Sequence, residues 1–175
     1  MKKVLLTLGL IITFAIVFQS CTSIESAGEN GSRQAGIGTN AGQNEANFGD
    51  VEGKDWILLE LRTPGETIYM DRAKLGEIGL SGVYTIRFEE GMLGGMGSPN
   101  RYAGPYTLGG NMILGIGDIL STMMFSFIQP EGLTEFEYFA LLSGVTRWNL
   151  EEGRLELFSS GSDGIESVLV FVLVQ

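Results

Sequence analysis

Between Asp55 and the C-terminus, apolar residues recur at alternate positions in short runs punctuated by glycine, the pattern of half-buried strands joined by tight turns. The clearest run is Tyr84-Thr85-Ile86-Arg87-Phe88, which sets Tyr84, Ile86 and Phe88 on one face and Thr85 and Arg87 on the other before Glu89-Glu90-Gly91 turns the chain. Trp56 to Leu61 is predicted as a strand with Trp56, Leu58 and Glu60 on one face. Thr63-Pro64-Gly65-Glu66 closes it, with Pro and Gly in favoured turn positions, and Thr67 to Met70 returns as a second strand. Further short strands are expected at Met92 to Met96, Tyr102 to Leu108, Met112 to Ile116 and Leu155 to Phe158. The last run, Val168 to Val174, is apolar on both faces, as a central or fully covered strand would be.

One segment departs from this alternation. From Thr134 to Trp148, Phe136, Phe139, Leu142, Val145 and Trp148 recur at helical spacing, Thr134 stands at an N-cap position, and Glu135 and Glu137 fall in the first turn, where the helix dipole favours acids. Gly144 would lie inside this helix, at a cost relative to Ala that close packing would justify. The expected fold is mainly β (α+β), a curved antiparallel sheet or partly closed small β-barrel packed with one amphipathic helix.

Upstream the composition changes twice. Met1-Lys2-Lys3 precedes fifteen uncharged residues, Val4 to Phe18, then Gln19-Ser20-Cys21. This layout is that of a secretory leader, and the apolar run is shorter than the roughly 20 residues that a spanning helix needs. Cys21 is the one cysteine of the chain and sits where a bacterial lipoprotein signal places the residue to be acylated, although Phe18 and Gln19 depart from the usual Leu and small residue. Residues 1–20 are therefore expected to be a lipoprotein signal peptide. The alternative is ordinary cleavage near Ser20 with Cys21 left as an unpaired thiol. Thr22 to Gly53 is rich in Gly, Ser, Asn and Gln, too poor in apolar area to offset its own ordering, so residues 21–53 are expected to be a lipidated cysteine and flexible linker and residues 54–175 a single domain.

Charge and composition narrow the chemistry. Without the leader the chain carries nine basic and 21 acidic residues, a net −12, which repels nucleic acid and anionic headgroups alike. Membrane attachment is thus expected through the lipid, and no nucleic acid partner is expected. The chain has no histidine, so it lacks the commonest general base and metal ligand, and acylation of Cys21 would use its only thiol. No enzyme activity, cofactor or metal is expected. The Gly91–Gly97 stretch lacks the lysine and the strand-to-helix setting of a phosphate loop. Met70, Met92, Met96, Met112, Met123 and Met124 suit adaptable core filling better than copper(I) binding. Asp118 with Glu135 or Glu137 is the one carboxylate pair of interest, and nothing in the sequence joins them.

Three motifs carry the remaining information: Asn100-Arg101-Tyr102-Ala103-Gly104-Pro105-Tyr106, then Ser121-Thr122-Met123-Met124, then Glu135 leading to Trp148. With Trp56-Ile57-Leu58 before them and Leu155-Glu156-Leu157 and the apolar last strand after, they resemble the META domain (HslJ-like) family in order and spacing. Many members carry a cysteine just before the Asn and another shortly after the Thr-x-Met; the matching positions here, near Pro99 and Ser126, have none. The resemblance implies a small antiparallel β fold wrapped about a helix, in envelope proteins that are often lipid-anchored, linked to heat or antibiotic stress, with no established catalysis. It marks Trp56, Asn100, Tyr102, Gly104, Tyr106, Thr122, Met124 and Glu135 as motif residues with a structural role, and a buried hydrogen bond between Thr122 and Glu135 is expected to join sheet to helix.

The resulting expectation is a non-enzymatic, lipid-anchored cell-envelope protein that binds another envelope component, an envelope protein in particular, or supports stress resistance. Tyr84, Tyr102, Tyr106 and Trp148 are expected as exposed contacts. The alternatives are a lipocalin-like carrier of a small apolar ligand, whose identity the sequence leaves unknown, and an inhibitor of a basic cell-wall hydrolase. Thr22 stands where some bacteria read Asp as inner-membrane retention, which favours the outer membrane.

Overall fold

The computed structural model describes residues 47–161 and 164–174; the leader and Cys21 lie outside the described residues. Ten strands form one antiparallel sheet: β1 (Asp55–Arg62), β2 (Thr67–Tyr69), β3 (Thr85–Glu89), β4 (Met92–Met96), β5 (Arg101–Leu108), β6 (Leu114–Ile116), β7 (Leu120–Ser121), β8 (Val145–Glu151), β9 (Arg154–Ser160) and β10 (Glu166–Leu173). Their order is β6-β5-β4-β3-β1-β10-β9-β8, with β2 added to β1 and β7 to β5. The two ends of this path meet, because Ile113 bridges Arg147 and the Trp148 N–H donates to the Met112 carbonyl at 2.9 Å. The sheet is thereby nearly closed into a barrel, which leaves little free edge.

Alternation decides what the barrel encloses. Trp56, Leu58, Ile86, Phe88, Leu155, Leu157, Leu169 and Phe171 point inward and are almost fully buried. As the sequence predicts, β10 is central: it pairs with β1 on one side and β9 on the other. A bulge between Leu58 and Glu60 shifts the phase of β1, so that Leu61 rejoins the core. Glu60, buried beside it, accepts from Arg62 Nε at 2.7 Å, and Arg62 reaches on to Glu156 at 2.8 Å.

β1 changes partner halfway, pairing with β3 over Asp55–Ile57 and with β2 over Glu60–Arg62. A short helix missing from the sequence reading fills the split. This α1 (Arg72–Glu77) is capped by Asp71, whose side chain accepts from the Lys74 N–H at 3.0 Å. Its first residue, Arg72, donates Nε to the Leu58 carbonyl (3.0 Å) and Nη1 to the Val83 carbonyl (2.9 Å), two acceptors that the divergence of β1 from β3 takes out of the ladder. Burial pushes the Arg72 pKa down to about 10, which leaves it charged at neutral pH. Arg72→Met would keep the stem and remove the donors, with an expected loss of about 2–3 kcal/mol in urea unfolding; an unchanged midpoint would refute this role.

The second helix, α2 (Glu135–Ser143), starts where the sequence predicts. Thr134 and Glu137 form a capping box, the Glu137 carboxylate accepting from the Thr134 N–H (2.8 Å) and the Thr134 hydroxyl accepting from the Glu137 N–H (3.2 Å). The Thr134 N–H, and the Thr134 hydroxyl donating to the same carboxylate at 2.7 Å, hold the Glu137 pKa below the usual carboxylate range. The helix ends at Gly144 rather than Trp148, and Val145 opens β8. The misreading has a physical source: a bulge between Val145 and Arg147 puts residues three apart, Val145 and Trp148, on the same inner face of a strand and so imitates helical spacing. Gly144 is tightly packed all the same, since a Cβ there would lie 2.7 Å from Ser159 Oγ.

The domain also begins earlier than residue 54. Phe48–Asp50 make a 3₁₀ turn capped by Asn47, and Phe48 packs edge-on against Phe88 and Trp148 with ring centroids 5.2 and 4.9 Å apart. Val51 is buried, and its carbonyl accepts from Trp56 Nε1 at 3.0 Å. Two isolated apolar residues in a polar stretch gave no periodicity, yet they close one end of the barrel.

Candidate functional site

Of the motif residues, Thr122, Met124 and Glu135 converge on Asn100, which sits just before β5 and is buried. Its side-chain amide faces two ways. Nδ2 donates to Glu135 Oε2 at 2.6 Å and to the Met124 carbonyl at 3.1 Å. Oδ1 accepts from Thr122 Oγ1 at 2.8 Å and from the Met124 N–H at 2.6 Å. Glu135 Oε1 then accepts the main-chain N–H groups of Ser98 (2.6 Å) and Asn100 (2.7 Å). A carboxylate in this position holds three N–H bonds, each stronger than a neutral pair. Gly97 makes room for it, because a Cβ there would meet Glu135 Oε1 at 2.5 Å.

Thr122 and Glu135 therefore do not bond to each other, contrary to expectation. Asn100 stands between them and joins the sheet, the loop after β7 and the first turn of α2. The Thr122 hydroxyl also accepts from the Arg101 N–H at 3.2 Å, while the Thr122 N–H donates to the Arg101 carbonyl at 3.0 Å, so the loop leaves β7 already fixed.

The aromatic residues of the motifs point inward. Tyr102 donates to the Thr85 carbonyl at 2.8 Å and lies 3.0 Å from the Tyr138 hydroxyl, and burial pushes the Tyr102 hydroxyl pKa well up. Tyr84 donates to the Leu133 carbonyl. Tyr106 reaches Glu52, its pKa raised to about 12 by burial and that hydrogen bond. Gly104 lies where the Asp118 carbonyl passes, 2.9 Å from where a Cβ would be. Tyr84, Tyr102, Tyr106 and Trp148, expected as exposed contacts, are at most 7% exposed. They are interior residues because the inward faces of β3, β5 and β8 are the apolar ones.

The exposed apolar surface is elsewhere. Met123 is 100% exposed, Phe127 95%, Phe136 81% and Phe125 80%, with Met124 and Ile128 more than half exposed. Phe125 and Phe127 stack edge to face at 4.9 Å. Phe136 follows Glu135 in the clamped first turn of α2, and the face of that helix turned to the core is carried by Tyr138 and Leu142 instead. Of the methionines expected to fill the core, Met70 does so, whereas Met92, Met123 and Met124 are exposed. Residues 119–130 contain no charged residue, a run of twelve with five large apolar residues from Met123 to Ile128. That run was the available signal, masked by treating methionine as core.

Other surface features are less specific. A groove of about 730 Å³ at one end of the barrel is lined by Leu61, Ile68, Leu133, Leu141, Glu66 and Glu137 among others. Glu137 is engaged in the capping box and Glu135 in the Asn100 network, so neither waits for Asp118 as an acid–base partner. Gly95, in the stretch resembling a phosphate loop, lies within β4 and lets the Thr85 carbonyl approach.

Comparison with known proteins places this geometry in context. The family model described as META domain matches residues 50–170, which include Asn100, Thr122 and Glu135. No curated protein sequence matches the chain. Among solved structures, a protein from Burkholderia xenovorans determined by NMR superposes with a TM-score of 0.54 at 19% identity, over 73% of this chain and 86% of that one. A DUF4847 family protein from Bacteroides vulgatus gives a TM-score of 0.48 at 10% identity, over 71% of this chain and 95% of that one. At these identities the first likeness concerns the fold alone.

Proposed function

We propose that this chain, which belongs to the META domain family, is a non-enzymatic, lipid-anchored protein of the cell envelope whose folded domain binds another envelope component through the loop after β7. The observation that carries this reading is the division of labour around Asn100. The polar motif side chains spend their hydrogen bonds on each other and on main chain, and what they hold out to solvent is apolar. A surface built to bind has this form: rigid beneath, with bulky side chains that are costly to leave in water.

Cys21, behind a short apolar leader, supplies the anchor in this reading. Acylation at that position carries a mass signature, so the test is the mass of the N-terminal peptide of the mature protein taken from cell envelopes. A chain starting at Cys21 and bearing acyl chains is the expected result. An unmodified Cys21, or a chain cleaved at another position, would overturn the anchor.

A second reading, a carrier of a small apolar molecule, finds its room in the groove beside α2 rather than inside the barrel, whose interior is filled by Trp56, Tyr84, Phe88, Tyr138 and Phe171. Native mass spectrometry of the domain from cell extract distinguishes it by a reproducible adduct.

A further inference from the structure

We infer that residues 123–128, together with Phe136, seat in the interfacial zone of a charge-neutral bilayer, giving the domain a second and reversible contact with the membrane. This deepens the proposed function and rests on it, since the anchor is what would bring a bilayer within reach.

Three features of the loop fit a lipid surface. Met123, Phe125 and Phe127 stand out almost fully solvated, so entering the headgroup boundary removes their apolar area from water. The base of the loop is already held. Asn100 takes the Thr122 hydroxyl and both main-chain groups of Met124, while Ser126 Oγ donates to the Ile128 carbonyl (2.8 Å) and accepts the Ile128 N–H (3.1 Å). These bonds reduce the ordering entropy left to lose when the tip engages a surface. Finally, no charge lies between residues 119 and 130 to resist entry.

Several observations favour lipid over a protein pocket. The projecting side chains are Phe, Met and Ile, without the Tyr, Trp or Arg that give protein interfaces directional bonds. They are 53–100% exposed, and a fluid interface takes in such side chains without a matching cleft. An irregular loop cannot enter the hydrocarbon core, where its main chain would be unsatisfied, so the contact is confined to interfacial depth. The acidic balance of the chain selects uncharged headgroups over anionic ones.

The test uses residues 42–175, a compact unit that contains the whole core and lacks Cys21, floated with phosphatidylcholine vesicles. A variant carrying Met123→Ser, Phe125→Ser and Phe127→Ser is compared with it, after its thermal melt has been matched to the parent, since none of these side chains is buried. Parent domain floating with the vesicles, a partition at least tenfold weaker in the variant, and weaker binding when phosphatidylglycerol is added are the expected results. A parent that stays unbound at millimolar lipid, or a variant that partitions equally, would refute the inference. Self-association of the parent that the three serines abolish, without vesicle binding, would assign the loop to a second copy and refute it as well. The anchor is read independently from the Cys21 peptide: acylation with a domain that ignores vesicles discards only this inference, and an unmodified Cys21 with a vesicle-binding domain discards only the anchor.

Discussion

Asn100→Ala is expected to lower the unfolding free energy by about 2–4 kcal/mol, far more than the loss of one exposed amide, because four hydrogen bonds pass through this side chain. Truncation removes one of three donors from the Glu135 carboxylate and leaves the Met124 N–H and carbonyl without their side-chain partner. The damage has a location as well as a size. Amide exchange at Met124 should rise well before global unfolding, since the clamp on the loop is lost even while the barrel stands. Equal destabilisation with unchanged protection at Met124 would mean that Asn100 serves the sheet and not the loop. The isosteric Asn100→Asp should be no milder at neutral pH, because it keeps the shape but sets an acceptor against the Glu135 carboxylate.

Gly95→Ala is expected to cost about 3 kcal/mol or more, or to prevent folding, an effect at the upper end for a single added methyl. A Cβ at this position would sit 2.0 Å from the Thr85 carbonyl oxygen and 2.8 Å from its carbon, and the ring of Tyr102 is 3.1 Å away. The carbonyl has nowhere to go, since it accepts from the Tyr102 hydroxyl at 2.8 Å and from the Tyr138 hydroxyl at 3.3 Å. Relief therefore means breaking the bonds by which Tyr102 of β5 and Tyr138 of α2 hold β3. Gly65→Ala is the control, in an exposed turn where a Cβ meets nothing within 4 Å, and its unfolding midpoint should hardly move. Similar midpoints for the two variants would show that β4 can shift, and the close approach would then count for little.

Much of the barrel was legible because burial on a strand writes itself as alternation. Tyr84, Ile86 and Phe88 face inward as their spacing predicts, and the β3–β4 turn falls at Glu90 and Gly91, both with φ near the left-handed region. Alternation fails where a bulge slips the phase, and that is why β8 read as the end of a helix. It also says nothing about single residues such as Phe48 and Val51, whose burial depends on the barrel being there to receive them. The short α1 has one buried residue, Leu75, and so leaves no periodic trace.

The candidate site was half legible. Its members were named from the motifs, but a carboxylate 35 residues from the amide that it meets leaves no mark of the pairing in the sequence. Thr122 and Glu135 were expected in contact because a polar residue at a sheet–helix junction needs a partner; the need was read correctly and the partner was Asn100. The exposed loop was hidden for the opposite reason. A run of Met and Phe signals burial in most settings, and only the fold makes plain that these side chains stand exposed.

The central claim is that Asn100 and Glu135 act as one unit that fixes the loop. A double-mutant cycle on Asn100→Ala, Glu135→Ala and the pair, followed by urea unfolding, tests it most directly. A coupling of about 1–3 kcal/mol is expected, with the double variant little worse than the poorer single one. Additive losses would mean that the two residues support the fold separately, and the clamp, together with the binding surface built on it, would have to be given up.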